Sequence, residues 1–131
     1  MKRIEVVAAI VEHEGKILCV QSGPSKYEYV SKKWEFPGGK IELNESAKDA
    51  IKREIKEELH MEIIAPTFFT SVIHRYPDFE IKLDFFNCSV ANKDIVLTEH
   101  INSVWLLPSE IKALDWAAAD VPAVDKLASV K

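Results

Sequence analysis

The chain has 131 residues, 47% hydrophobic and 29% charged, the balance of a single soluble globular domain with enough length to bury a core. Its net charge is −4 and it has no block of consecutive basic residues, which argues against gripping a nucleic-acid polymer through its phosphates. A small polyphosphate remains open, because a bound divalent cation can supply positive charge locally.

In chain order, residues 3–12 and 16–21 are β-rich runs joined by "HEGK", where Gly15 marks the turn of a hairpin. Lys2 and Arg3 before an apolar stretch superficially resemble a signal peptide. The stretch is short, Glu5 interrupts it and polar "EHEGK" follows, so it is read as a first strand. "SGPSKYEYVSKK" (22–33) reads as an exposed loop, and "WEFPGGK" ends regular structure at Pro37 and two glycines. From Asn44 the pattern turns helical: Asn44 or Ser46 can cap, and Ala47, Ile51, Ile55 and Leu59 recur at helical spacing.

Pro66 closes the connection after that helix. "TFFTSVIHRY" and "FEIKLDFFNCSV" are strands joined around Pro77 and Asp78; in the second, Ile81, Leu83 and Phe85 alternate with Glu80, Lys82 and Asp84. "SVWLL" is a short strand, "PSEIKALDW" a helix starting at Pro108, and "ADVPAVDKLAS" a terminal helix. The order β, β, helix, β, β, β, helices predicts an α/β fold with helices packed on a mixed sheet. Cys19 and Cys88 lie in separate apolar runs without C-x-x-C spacing, and are read as buried thiols in a reducing compartment. No run reaches the ~18 apolar residues of a membrane span, so a cytoplasmic protein is expected.

The helix carries the chemistry. Glu54, Glu57 and Glu58 fall within an arc of about 100°, and the same arc one turn or two earlier holds Ala47, Ala50 and Ile51. The acids therefore sit on or beside the stripe that should meet the protein. Crowded carboxylates raise one another's pKa unless a cation is present, and hard oxygen donors suit Mg²⁺ or Mn²⁺. Taken alone, the helix is equally compatible with a solvated charged face. Just upstream, "PGGK" adds glycines that allow close backbone approach to a ligand and, in Lys40, a point charge suited to phosphate.

Residues 39–61, "GKIELNESAKDAIKREIKEELHM", resemble the Nudix box, G-x5-E-x7-R-E-U-x-E-E-x-G-U, with U a bulky aliphatic. Gly39, Glu45, Arg53, Glu54, Ile55, Glu57, Glu58 and Met61 match; His60 stands where the pattern has glycine. "WEFPGGKIE", "LTEHINSVWL" and "LDWAAADVPAV" resemble segments of the MutT-type branch, the nucleoside triphosphate pyrophosphohydrolases. The resemblance implies a Nudix α/β/α sandwich over residues 1–131 and Mg²⁺-dependent hydrolysis of a nucleoside diphosphate linked to another group, with nucleoside monophosphate and pyrophosphate as the MutT-type products.

It also implies roles. Glu54, Glu57, Glu58 and Glu99, with Gly39, would hold metal ions. Glu57 and Glu99 rank equally as general base, and a solvated loop acid is the other reading of Glu99. Arg53 would orient the glutamates through ion pairs, while Gly38 and Glu45 would shape the loop–helix junction. Phe36, Tyr76, Ile81 and Asp120 would form the nucleobase pocket, with Lys40 on phosphate. Core packing for the apolar members, and capping of the last helix for Asp120, are the competing readings. His74 and His100 are read as surface histidines, with His100, next to Glu99, able to tune that acid as the other reading; Trp34, Trp105 and Trp116 are read as packing residues.

The match has a gap: after "ILCV", where MutT-type sequences carry arginine, stand Gln21, Ser22 and Gly23. The missing guanidinium weakens the case for an oxidised-guanine substrate and leaves cytidine nucleotides as a rival. Dinucleoside polyphosphates or nucleotide sugars are alternative substrates, and a non-catalytic nucleotide sensor is the alternative of another class. A monomer or homodimer, with no nucleic-acid polymer or membrane as partner, completes the expectation.

Overall fold

The computed structural model describes residues 2–129. Its centre is β1 (Arg3–His13), whose run Val7–Val11 is buried throughout. Burial on both faces removes the usual polar alternation, and β1 accordingly has sheet neighbours on both edges. On one side it pairs in parallel with β6 (Glu80–Ser89), from Arg3 opposite Glu80 to Glu12 opposite Ser89. β6 in turn pairs antiparallel with β5 (Ile64–Arg75), the edge strand.

The other edge of β1 is shared. β2 (Lys16–Gln21) pairs with it only at Glu12 and His13, then continues beside β7 (Asn102–Leu106) and β3 (Trp34–Glu35). β4 (Gly38–Lys40) takes the start of the same edge, at Val6–Ala8. Between them the Ala9 N–H donates to the Pro37 carbonyl at 2.8 Å. The sheet thus opens where the segment Trp34–Lys40 crosses, and the candidate site lies along that opening.

α1 (Ala47–Leu59) covers one face. Ser46 is its cap, accepting from the Asp49 N–H at 3.1 Å; Asn44 instead takes a turn conformation at φ 65°. Ala50, Ile51, Ile55 and Leu59 pack with Val7, Ala9, Val11, Leu18 and Val20. Each fully buried aliphatic side chain of that set contributes about 1.5–3 kcal/mol of hydrophobic stabilisation before entropy is counted. On the opposite face, α2 (Val121–Ala128) sets Ala123, Val124 and Leu127 against Ala8, Ile10, Ile17, Phe36 and Phe85. Helices on both faces of a mixed sheet give the α/β/α sandwich expected from sequence.

Several local expectations need correction. β5 begins at Ile64 and contains Pro66, two residues after register starts and beside an irregularity between Ile64 and Thr67. A proline is tolerated there because an edge strand at a bulge has no ladder hydrogen bond to lose. Residues 108–116 do not form the expected helix. They make a turn and a short 3-10 segment, Ile111–Ala113, closed by Trp116 Nε1 donating to the Ile111 carbonyl at 2.7 Å. "WEFPGGK" does not end regular structure: it contributes the short strands β3 and β4.

The 22–33 loop is not simply exposed, since Tyr29 is packed against Tyr76 with ring centroids 5.0 Å apart. Cys19 and Cys88 are free and buried in the two different core clusters, so the sheet separates them. Burial pushes both thiols up to about 12. Among the described residues no helix is long and apolar enough to cross a membrane.

Candidate active site

Arg53 organises the acidic end of α1. Its Nε donates to Glu45 Oε2 at 2.7 Å and its Nη2 to Glu45 Oε1 at 2.9 Å, a two-pronged pair across the helix start. Nη2 also donates to the Lys40 carbonyl at 3.1 Å, so the guanidinium holds the glycine turn. Nη1 donates to Glu54 Oε1 at 2.9 Å and Glu57 Oε2 at 3.1 Å. The Arg53 bonds, helped by the Glu42 N–H, pull the Glu45 carboxyl down to about 2. Its carboxylate partners push the Arg53 guanidinium further up from its already high value.

Glu58 faces the other way. Its side chain is 4% exposed and its Oε1 is buried without a hydrogen-bond partner. Burial first, then Glu54, Glu99 and Glu35 nearby, raise its carboxyl to about 10. Glu99 reaches this cluster because Thr98 is tied to the helix end: its N–H and Oγ1 donate to the Glu58 carbonyl at 3.1 and 2.9 Å. Gly39 lies against Glu54, where an added Cβ would run into the carboxylate; at Gly38 a Cβ would strike the Val7 carbonyl of β1. Both glycines are thus required by close approach rather than by φ.

Among the described residues no three histidine, cysteine or acidic groups already stand in coordinating positions. The donor set nevertheless fits a hard divalent cation. An orphaned buried carboxylate oxygen on Glu58 sits among Glu54 and Glu99, and only a cation or a proton relieves that crowding. The helix ends at His60, which takes the left-handed conformation at φ 57°, ψ 34° with its N–H on the Lys56 carbonyl at 3.1 Å.

Across the opening, Phe36, Tyr76, Ile81 and Asp120 line one cavity of about 140 Å³, joined by Glu35 and Ala119. Asp120 is 4% exposed and its side chain makes no capping bond to α2, so it belongs to this cavity rather than to the helix start. Burial, reinforced by Glu35, raises its carboxyl well above 3.8, against a smaller opposing effect from the Phe36 backbone. Tyr76 accepts the Ala119 N–H at 3.0 Å, and Tyr29 caps its ring while donating to Asp78 Oδ2 at 2.5 Å. Where MutT-type arginine is missing, Gln21 Nε2 donates to the Lys32 carbonyl and Ser22 Oγ to the Val30 carbonyl, both at 2.9 Å, stitching the loop to itself.

His74 is half-buried against the Tyr76 ring, 4.5 Å between centroids. His100 is not on the surface: its side chain is 5% exposed, with Nε2 3.0 Å from Glu35 Oε2. The tryptophans pack as expected, Trp116 on Phe36 at 4.7 Å and Trp105 edge-on to His13 at 6.4 Å. Lys40 is exposed beside the glycine turn. Sequence reasoning missed Glu35, Tyr29 and His100 as members of the site. For Glu35 a signal existed, a lone acid between Trp34 and Phe36, and for His100 its place next to Glu99; for Tyr29 none is local.

A NUDIX domain model matches residues 1–127, and the chain belongs to the Nudix family. It is 34% identical over 131 residues to the CTP pyrophosphohydrolase of Escherichia coli K12, covering 100% of this chain and 96% of that protein. It is 33% identical over 85 residues to the 8-oxo-dGTP diphosphatase of Proteus vulgaris, covering 65% of this chain and 75% of that one. The solution structure of the Nudix protein MutT from methicillin-resistant Staphylococcus aureus 252 matches with a TM-score of 0.74 at 40% identity, covering 97% of each chain. The MutT protein of Methanosarcina mazei has the same fold, with a TM-score of 0.85 at 23% identity over 97% of this chain and 94% of that one.

Proposed function

We propose that the chain is a Mg²⁺-dependent nucleoside triphosphate pyrophosphohydrolase of MutT type that clears cytidine nucleotides, normal or modified, from the nucleotide pool. One observation carries this reading: the carboxylate face of α1 and a cavity walled by Phe36, Tyr76 and the buried Asp120 lie on either side of the glycine turn. Relatives named for CTP and 8-oxo-dGTP support the reaction class.

Glu54, Glu57, Glu58 and Glu99, with the backbone of Gly39, would hold the cation. A bound Mg²⁺ (or Mn²⁺) would offset charge on the phosphoryl oxygens and make water a better nucleophile. Arg53 orients Glu54 and Glu57 through its Nη1 and frees Glu58, which it does not touch. Lys40 stands beside the turn to pair with phosphate. Glu57 or Glu99, both exposed, takes the proton from the attacking water. The bond to the α-phosphate breaks, leaving nucleoside monophosphate and pyrophosphate.

Base choice turns on Asp120, whose carboxyl burial pushes toward the protonated form. A neutral carboxyl offers one O–H donor and one carbonyl acceptor. Cytosine presents the complement, the N4 amino donor beside the N3 acceptor. Guanine and 8-oxoguanine present two adjacent N–H donors, N1–H and N2–H, beside the O6 acceptor; carboxylate acceptors such as Glu35 suit the two donors, which makes 8-oxo-dGTP the second reading. The two buried, unpaired thiols are compatible with a cytoplasmic location. The test is kcat/KM over normal and oxidised triphosphates with Mg²⁺. Cytidine nucleotides are expected to lead; release of pyrophosphate from no triphosphate would sink the proposal.

A further inference from the structure

We propose that His100 is a positioning residue that ties the nucleobase cavity to the metal-binding face of α1. The inference rests on the hydrolase reading above, but not on which base is preferred. The imidazole is the junction of segments distant in sequence. Its Nε2 lies 3.0 Å from Glu35 Oε2, on the wall of the cavity, and 3.9 Å from Glu58 Oε1, on the helix. In the tautomer with hydrogen on Nε2, the ring donates to Glu35 Oε2, with Glu58 just beyond bonding range.

This arrangement is costly unless it serves something. His100 Nδ1 and Glu58 Oε1 are both buried without partners, and an orphaned buried polar atom costs about 1–3 kcal/mol. An apolar side chain at position 100 would avoid one of these costs. The ring instead stands between the buried Glu58 and the partly exposed Glu35, two acids that repel each other, and it fixes the Glu35 carboxylate relative to Glu58. Side chains that orient ligating groups in this way change metal affinity about 10–100-fold when removed. Glu99 is the neighbouring residue in sequence, so the same loop that delivers a candidate ligand also delivers the imidazole.

The test is Mn²⁺ binding to the full chain without nucleotide, read by electron paramagnetic resonance of the free ion, for wild type, His100→Ala and His100→Gln. His100→Ala is expected to bind Mn²⁺ about tenfold more weakly, and His100→Gln, which keeps an N–H donor, to recover most of the loss. With CTP as substrate, His100→Ala should raise KM more than it lowers kcat, since both acids survive but lose their relative placement. Thermal melting separates this from a packing role. If both variants keep wild-type affinity, or bind more tightly, while only Tm falls, the positioning role is overturned. If His100→Ala fails to fold, His100→Leu, which also lacks a donor, takes its place: a loss near tenfold that His100→Gln does not share supports the proposal, and wild-type affinity contradicts it. If the wild type binds no Mn²⁺, both readings are overturned. Binding without turnover of any triphosphate overturns only the activity, and the affinity comparison still decides the role of His100.

Discussion

Arg53 grips both carboxylate oxygens of Glu45, eight residues earlier, through Nε at 2.7 Å and Nη2 at 2.9 Å. The pair clamps the loop before α1 to the helix itself, and the remaining Arg53 donors reach Glu54, Glu57 and the glycine turn. The Glu54 and Glu57 carboxylates are therefore aimed by a residue placed on the helix but anchored upstream of it.

The Glu45 carboxyl, held at about 2 against an ordinary 4.5, makes stability depend on acid. A depressed carboxyl favours the fold fully above pH 4.5, where the unfolded chain is ionised too, and that contribution disappears as pH falls from 4.5 toward 2. Denaturant unfolding of wild type and Glu45→Gln across pH should show a wild-type advantage that is constant above pH 5 and shrinks below it. A difference that is independent of pH would contradict the clamp.

The adjacent glycines should fail in different ways. A methyl at Gly38 meets the backbone of Val7 and Ala8, which cannot yield without parting β4 from β1. Gly38→Ala is expected to lose several kcal/mol of stability, roughly 2–4, as overpacking against backbone does. A methyl at Gly39 meets only the Glu54 side chain. Gly39→Ala should keep its melting temperature within a few degrees and lose metal affinity and turnover together. Thermal melts paired with Mn²⁺ titration distinguish the two.

His60 occupies a left-handed position at φ 57°. A side chain there costs about 1 kcal/mol relative to glycine, so His60→Gly should raise Tm by roughly 3–5 °C. Its ring is exposed and the site's bonds do not involve it, so kcat should stay within twofold. A large fall in kcat would place His60 in the chemistry.

Asp120 offers a test of base reading by near-isostere. An amide presents one donor and one acceptor, as a neutral carboxyl does, so Asp120→Asn should keep KM for CTP within a few-fold while Asp120→Ala raises it at least tenfold. Because burial raises the folded carboxyl above 3.8, its cost to folding grows as pH rises past that value, where the unfolded chain ionises more readily than the folded one. Asp120→Asn should therefore gain stability over wild type at neutral pH. If it loses CTP binding as fully as alanine does, the carboxyl is read in its ionised form.

What was legible in the sequence was what is local. The i, i+3, i+4 spacing of Glu54, Glu57 and Glu58, the four-residue apolar spacing through Leu59 and the alternation in β6 are all set within a few residues. The cap at Ser46 and the odd residue at His60 belong to the same class. Short pieces were misread because so few residues carry little periodicity: β3 and β4 exist through pairing with β2 and β1, and 108–116 is held by Trp116 instead of by helical propensity. His100 looked like a surface residue because the partner of its ring, Glu35, lies 65 residues away in sequence. Phe36, Tyr76, Ile81 and Asp120 come from four separate segments, and only a family resemblance could join them before the fold did.

The most direct measurement is product analysis of CTP incubated with Mg²⁺ and either wild-type protein or Glu57→Gln. The account predicts CMP and pyrophosphate in equal amounts from the wild type, none without the metal, and a rate lower by orders of magnitude in the variant with its melting curve preserved. No hydrolysis of CTP or any other triphosphate, or release of inorganic phosphate with CDP, would contradict it.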